Sequence, residues 1–430
     1  MKISSILGLN ARTQLYGYRH NSLRGKKVAN SKIQTERVLG RAGVPSPKIL
    51  KIFRDPKDIL NFDWDSFPDN FALKPSRGLG GEGIIVVKKK LKDGLWLTTQ
   101  KEKITTGDLK LHTLDILEGA YSMGNEPDVA FVQEYVARAE AFRKWAYRGT
   151  PDVRIIVFNK VPIMAMLRLP TKESGGRANL HQGAIGVGID MATGITTKAI
   201  WHGNQIVFKP GSETKLRGIK IPDWDLVLMT AVNASVASGL GYAGIDIVIH
   251  PEKGPMVLEM NAQPGLQIQL ANMEGLRRRL DRVDDMAVAD AKHGVRLAKL
   301  LFAGRYQDLE QMEEGVKTIG TTEAVWVVAA NGTKEEILAK IDTGAWNSSI
   351  DKELAEKLGL LAKDNVLWKK KVYSSLGTEM RPVINLKFYL AGRPINTVGT
   401  IANRRGLKKR MIIGRRDLGG FLVKAEGFTS

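Results

Sequence analysis

The run FALKPSRGLGGEGIIVV at residues 71–87 carries Lys74 in an apolar stretch, then Gly78, Gly80, Gly81 and Gly83 in a loop, then the β-branched run Ile84 to Val87. A dinucleotide-binding turn requires a helix after its glycines, and a Walker loop requires Gly-Lys-Ser/Thr; neither follows here. Strand, loop, strand is the expected reading, with loop amides free to approach phosphate oxygens because no Cβ intervenes. Such a loop reads as a lid over nucleotide phosphates and points to ATP. An ordinary glycine-rich hairpin is the alternative.

A chain of 430 residues is expected to hold two or three domains, each burying its own core. A helix is expected around Ser31 to Ala42, ending at Gly43-Val44-Pro45, and another from Ala287 to Phe302. Polar, irregular sequence follows, and then short strands and turns begin at Ala324. The expected division is a first domain at 1–305, a linker at 306–321 and a second domain at 322–430. No apolar run reaches membrane-helix length, and the first residues are too polar for a signal peptide, so a cytoplasmic protein without membrane contact is expected. The absence of cysteine excludes disulfides and thiolate chemistry.

A formal charge of +20 asks for an anionic partner. Residues 320–430 hold 19 Lys and Arg against 11 Asp and Glu, so the charge is spread rather than gathered in a basic tail. No zinc-finger, RNP or helix-turn-helix pattern accompanies the clusters at Arg277 to Arg279 and Lys408 to Arg410, which disfavours nucleic acid as the partner.

Four segments after the glycine loop carry the chemistry. Phe131 to Val136, containing Gln133, Glu134 and Tyr135, is strand-like and could pair its backbone with an adenine edge, or be a plain buried strand. Asp152 to Phe158 and Val161 to Leu169 flank Asn159-Lys160 as a hairpin, which puts Asp152 and Arg154 on one face. Arg168, near the far end, could bridge phosphates or form a rim salt bridge. Asp246 and the pair Glu259 and Asn261 sit in two apolar strands; Glu259 and Asn261 share a face, and the three make an oxygen set suited to magnesium, or are polar residues of an exposed face. Arg177 to Gly183, with Asn179 and His181, offers donors for phosphate or a substrate carboxylate, or is simply a polar loop.

Lys32 ahead of Gly43-Val44-Pro45, Lys74, the glycine loop, Gln133 to Val136, Arg168, Asn179, Asp246, Glu259 and Asn261 together resemble the ATP-grasp fold over about residues 26–300. Asn179-Leu180-His181-Gln182-Gly183 and Leu258-Glu259-Met260-Asn261 resemble the RimK-type α-L-glutamate ligases. The resemblance implies two α/β subdomains gripping ATP, phosphate contacts from Lys32 and Lys74, backbone of Glu134 and Val136 presented to adenine, and Mg²⁺ (or Mn²⁺) on Asp246, Glu259 and Asn261. Gln133 and Tyr135 fall in the same nucleotide segment. Arg168 and Asn179 are the candidate catalytic residues, and Arg154, Arg177 and His181 the candidate substrate contacts. The implied reaction joins a carboxylate to an amine through an acyl phosphate, with an amino acid or acidic peptide as substrate. Few residues precede Lys32, so the separate N-terminal domain of such ligases is expected to be largely missing. A protein kinase would need H-R-D and D-F-G sequences, which do not occur.

Farther on, Asp342-Thr343-Gly344 ends an apolar stretch, and Ile412-Ile413-Gly414-Arg415 follows. This pair resembles the retropepsin-like aspartic proteases, and more closely RimB-type domains, over about residues 322–425. Arg416 stands where retropepsins carry Asn or Asp. All six histidines precede this segment, which argues against zinc there. One Asp-Thr-Gly is half of a two-carboxylate dyad, so peptidase chemistry at Asp342 implies a homodimer; a module that binds peptide without cleaving is the alternative. The expected fold class is thus α+β: an ATP-grasp ligase followed by a small, mainly β retropepsin-like domain. The competing functions are an aspartic peptidase regulated by a nucleotide-binding domain, and a nucleotide-responsive binding protein.

Overall fold

The computed structural model describes residues 6–78, 80–303, 316–362, 365–374, 377–404 and 407–424. They form two compact units, Met1–Val295 and Arg296–Ser430. Of the expected linker, residues 306–315 lie outside the described residues. Lys317–Ile319 is not linker but a strand, paired in parallel with Phe421–Val423.

In the first unit, Phe71–Pro75 and Ile85–Lys90 pair antiparallel around the glycine loop, as strand, loop, strand. They belong to a 6-stranded sheet in which Phe71–Pro75 lies between Ala130–Glu134 and Ile85–Lys90. Phe53, Trp64, Phe71, Trp96 and Ile116 fill the core on one face of it. The helix Thr106–Leu117 closes that core, and its start is fixed by a reciprocal cap between Thr105 and Asp108.

A 7-stranded antiparallel sheet follows, with Val161–Leu169, Asp152–Phe158, Tyr242–His250 and Gly254–Asn261 as consecutive neighbours. Asn159 (φ 48°) and Lys160 (φ 60°) form its hairpin turn. Both central residues lie in the left-handed region, which matches the twist of the strands they join. The apolar helix Trp224–Ser238 buries most of its surface, as a helix packed on a sheet must.

Ser31 caps the helix Lys32–Arg41 by accepting from the Gln34 N–H, and the chain leaves through Gly43 at φ 67°. The helix expected from Ala287 begins only at Ala291 and runs to Leu301. The reason is local: Asp290 accepts from the His293 N–H (2.8 Å), an N-cap bond that sets the start. No helix among the described residues is long and apolar enough to cross a membrane.

The second unit holds another 7-stranded sheet, which closes into a barrel because Thr322–Val328 pairs with both Lys334–Asp342 and Gly377–Leu390. Val325, Val327, Ile341, Phe388 and Ile413 fill it. Lys334–Asp342 runs parallel to Met411–Gly414, with Asp342 opposite Gly414.

Candidate functional site

Strand register in the second sheet makes a row of charge on one face. Arg168 stands opposite Asp152, Arg154 opposite Asp246, and Asp246 opposite Glu259, across four adjacent strands. Residues two apart on a strand share a face, so Asp152 and Arg154 lie together, as do Glu259 and Asn261. Arg168 donates Nε to Asp152 (2.5 Å) and Nη2 to both Asp152 (2.7 Å) and Asp246 (2.7 Å). Arg154 holds Asp246 bidentately, both bonds at 2.7 Å.

Arg168 is therefore no rim residue: its side chain is 12% exposed, and Asp246's is 1%. Arg154, expected to face a substrate, is turned to Asp246 instead. Burial alone would raise the Asp246 carboxyl, but the two guanidiniums outweigh it and hold it below the usual range. Asp152 is pushed up to about 6, because burial exceeds the pull of Arg168 and Asp246 adds repulsion. Burial works against the charge on Arg168, yet Asp152 and Asp246 keep its pKa above the ordinary value.

Lys32 connects this row to the glycine loop. Its Nζ donates to the Gly78 carbonyl (3.1 Å) and lies 3.8 Å from Glu259. Lys74 comes from the other sheet and donates to Gln133 Oε1 (2.8 Å), while Gln133 Nε2 donates to the Pro47 carbonyl (2.9 Å). Gln133 thus orients Lys74, a role its place in the strand did not announce. Burial pushes the Lys74 ammonium down to about 8, helped by the charge of Lys32 and opposed by Glu259.

Residues roughly 30 to 100 positions farther along the chain hold the loop itself. Asn179 Nδ2 donates to the Gly80 carbonyl (3.1 Å), and its Oδ1 accepts from the His181 N–H (3.0 Å). Gly83 sits at φ 68°, and a Cβ there would stand 2.5 Å from the Tyr121 ring. His112 hydrogen-bonds the Gly83 carbonyl (2.9 Å) and Tyr121 (3.2 Å). Sequence patterning missed His112, Tyr121 and Gln182; only Gln182, inside the quoted polar loop, left any signal. Arg177, beside Gly81, and His181, within 3.4 Å of Gln267, are exposed.

In the segment Phe131 to Val136, the Glu134 N–H is taken by the Lys48 carbonyl (2.8 Å), and the Glu134 carboxylate pairs with Lys253. Burial would raise that carboxyl, but Lys253 and the Lys48 amide keep it low. The Val136 carbonyl accepts from Thr150 (3.1 Å), and Tyr135 is partly buried beside it.

Among the described residues the buried atoms Asn261 Nδ2, on the face of the row, and Gln182 Oε1, beside the glycine loop, have no hydrogen-bond partner. Glu259 is 39% exposed, and among the described residues its ion pair is with Lys32. Asp246 already accepts three N–H bonds, which leaves one lone-pair direction on Oδ1. Two carboxylates and an amide oxygen on one face suit a hard cation that is shared with phosphate oxygens.

In the second unit, Asp342 Oδ1 accepts from the N–H groups of Gly344 (3.1 Å) and Ala345 (3.0 Å). Burial would raise its carboxyl, but the Ala345 amide, Lys340 and the Gly344 amide hold it below the usual range. The residue at 416 does not fill an acidic slot: Arg416 turns to the Leu300 carbonyl (2.8 Å), and the buried carboxylate is Asp417, which accepts from Ser348. A Cβ on Gly414 would meet the Asn347 backbone at 2.6 Å, so only glycine fits beside Asp342.

The family model for sugar-transfer associated ATP-grasp proteins matches residues 11–285. A probable alpha-L-glutamate ligase of Azotobacter vinelandii is 26% identical over 239 residues, 56% of this chain and 57% of that one. Another, of Stutzerimonas stutzeri, is 30% identical over 144 residues, 34% of this chain and 33% of that one. The chain thus spans about half the length, or less, of these curated relatives. The D-alanine–D-alanine ligase of Bacillus anthracis complexed with ATP superposes over 67% of this chain and 71% of that one, with 13% identity and a TM-score of 0.35.

Proposed function

The chain belongs to the sugar-transfer associated ATP-grasp family, and from that we propose that it is an ATP-dependent carboxylate-amine ligase acting on an amino acid or acidic peptide, glutamate being favoured. The observation that carries the proposal is Lys32, which touches the Gly78 carbonyl on one side and approaches Glu259 on the other, so that phosphate lid and carboxylate face meet at one cation.

In this reading Lys32, Lys74 and the amides around Gly80 and Gly81 bind the phosphates, and the Glu134 to Val136 backbone lines the base. A divalent cation fits Glu259 and Asn261, with Asp246 through its remaining lone pair; when bound it supplies charge neutralisation at the transferring phosphoryl group. A carboxylate oxygen of the substrate attacks the γ-phosphorus, and the bond to the β–γ bridging oxygen breaks to release ADP. The amine then attacks the acyl carbon, phosphate departs, and the amine proton goes to solvent. The protein holds reactants in line and stabilises charge; it supplies no covalent nucleophile. Asn179 positions the lid through Gly80, and Arg168 fixes the carboxylates behind it. Arg177 and His181, both exposed by the loop, are the candidate contacts for the substrate.

The test is phosphate release from ATP and Mg²⁺ in the presence of single amino acids, acidic peptides and, given the family description, amino sugars, with products read by mass. The expected product weighs the sum of two substrates less one water. Hydrolysis that no added substrate accelerates would sink the ligase reading in favour of a nucleotide-responsive binding protein.

For residues 322–430, we infer a retropepsin-like module, supported by the amide cradle around Asp342 and its pairing with Gly414. One chain supplies one Asp-Thr-Gly, so cleavage requires a homodimer. If the module cleaves peptides, Asp342→Asn abolishes cleavage, spares ligation, and chelators leave cleavage unchanged, because an amide cannot accept the proton of water. Cleavage by a stable monomer, or its loss on metal removal, would overturn this assignment.

A further inference from the structure

Residues 1–41 hold nine Lys and Arg and a single acid, Glu36. Four of these cations line one groove. Arg24, Lys27 and Val28 lie on one face of the helix Leu23–Ala29, at spacings of three and four. Gln34, Arg37, Val38 and Arg41 do the same on the helix Lys32–Arg41. Between the two faces is a cavity of about 290 Å³ whose lining contains no acidic residue. Val28, 5% exposed, forms its apolar floor. All four cations are exposed, and none has an ion pair or hydrogen bond to a described residue.

We propose that this groove binds an acidic peptide, the carboxylate-bearing chain of the substrate or product. The proposal rests on the ligase reading for its substrate class. Four unneutralised cations hold negative charge, and Arg forks match carboxylates in pairs. A concave slot with an apolar floor accepts the methylenes of an extended acidic chain, and Gln34 offers amide groups to its backbone. Duplex nucleic acid is read by an element that protrudes into its groove, and a bilayer by a projecting apolar face; the open groove between the two helices presents neither, which favours peptide over both. The position is coherent: Lys32, at the first turn of the second helix, touches the glycine loop, and Arg41 ends that helix about 13.5 Å away at 1.5 Å per residue. The groove therefore leads off from the phosphate site.

The test is fluorescence anisotropy of labelled octaglutamate with the full chain, without ATP. Wild type binds octaglutamate and not octaglutamine. Arg37→Glu with Arg41→Glu, both exposed, weakens octaglutamate binding about tenfold or more, and added salt does the same to wild type. Unchanged circular dichroism and unchanged ATP affinity establish that the variant is folded. Equal octaglutamate affinity in wild type and variant overturns the proposal. So does groove-dependent binding of phosphatidylglycerol vesicles or a short DNA duplex by a protein that ignores octaglutamate. Because no turnover is measured, loss of ligase activity with peptide binding intact would fault the ligase reading and leave the groove standing.

Discussion

Arg168→Met is expected to destabilise the first unit by about 3–5 kcal/mol, the range for removing one partner of a buried ion network. Arg168 gives three hydrogen bonds to two carboxylates that are nearly inaccessible to solvent. Without it, Asp152 loses its bidentate partner and Asp246 keeps only Arg154. The sign with pH follows. In the variant both carboxyls titrate higher than in wild type: Asp152, already above its unfolded value of about 3.9, rises further, and Asp246 loses one of the two guanidiniums that hold it low, so burial disfavours the ionised forms and protonation relieves the cost. The deficit is then largest at pH 7 and narrows as pH falls toward 5, through the region where Asp152 already titrates in the native protein, about 6. Urea denaturation at both pH values reads this out. A midpoint within experimental scatter of wild type would show that the network carries little stability.

Lys74→Ala and Glu259→Gln are each expected to lower ligation at least a hundredfold while leaving the fold intact, since removal of a group that stabilises developing charge commonly costs about 3 kcal/mol or more. Neither side chain is part of the core, which separates these variants from Arg168→Met. Lys74 adds a pH signature. Its ammonium titrates near 8 in the free protein, and bound phosphates favour the charged form. Nucleotide binding therefore takes up roughly half a proton at pH 8, and affinity falls as pH rises further. Calorimetry in buffers of different ionisation enthalpy measures that uptake. Near-wild-type turnover by both variants with magnesium and the right substrates would remove these residues from the site.

The strand-loop-strand at 71–90, the hairpin at Asn159-Lys160 and the helix after Ser31 were legible because each is a local matter: a β-branched run on either side of glycines, two turn residues between apolar strands, a cap before an amphipathic stretch. The candidate residues were legible as types, because a charged side chain inside an apolar strand stands out. Which charge meets which was not. Arg154 and Arg168 look like free donors in sequence; strand register places each opposite a buried carboxylate, and the low-polarity surroundings then make pairing obligatory. The side chain of Gln133 reads in sequence as one residue of a strand; its bond to Lys74 on the neighbouring strand gives it a positioning role that only register reveals.

The start of the helix at Ala291 and the burial of Asp417 against Ser348 were decided at the scale of one or two residues, where a single cap or buried hydroxyl outweighs periodicity. By itself the sequence determined the local elements and the chemical inventory, since backbone preference and burial pattern depend on near neighbours. Tertiary structure alone decided the pairing of Asp246 with two arginines, the bracing of the glycine loop by Asn179, His112 and Tyr121, and the groove between Arg24 and Arg41. Each of these rests on contacts between side chains whose proximity is set by sheet register, loop closure and helix packing, and no short-range pattern encodes those distances.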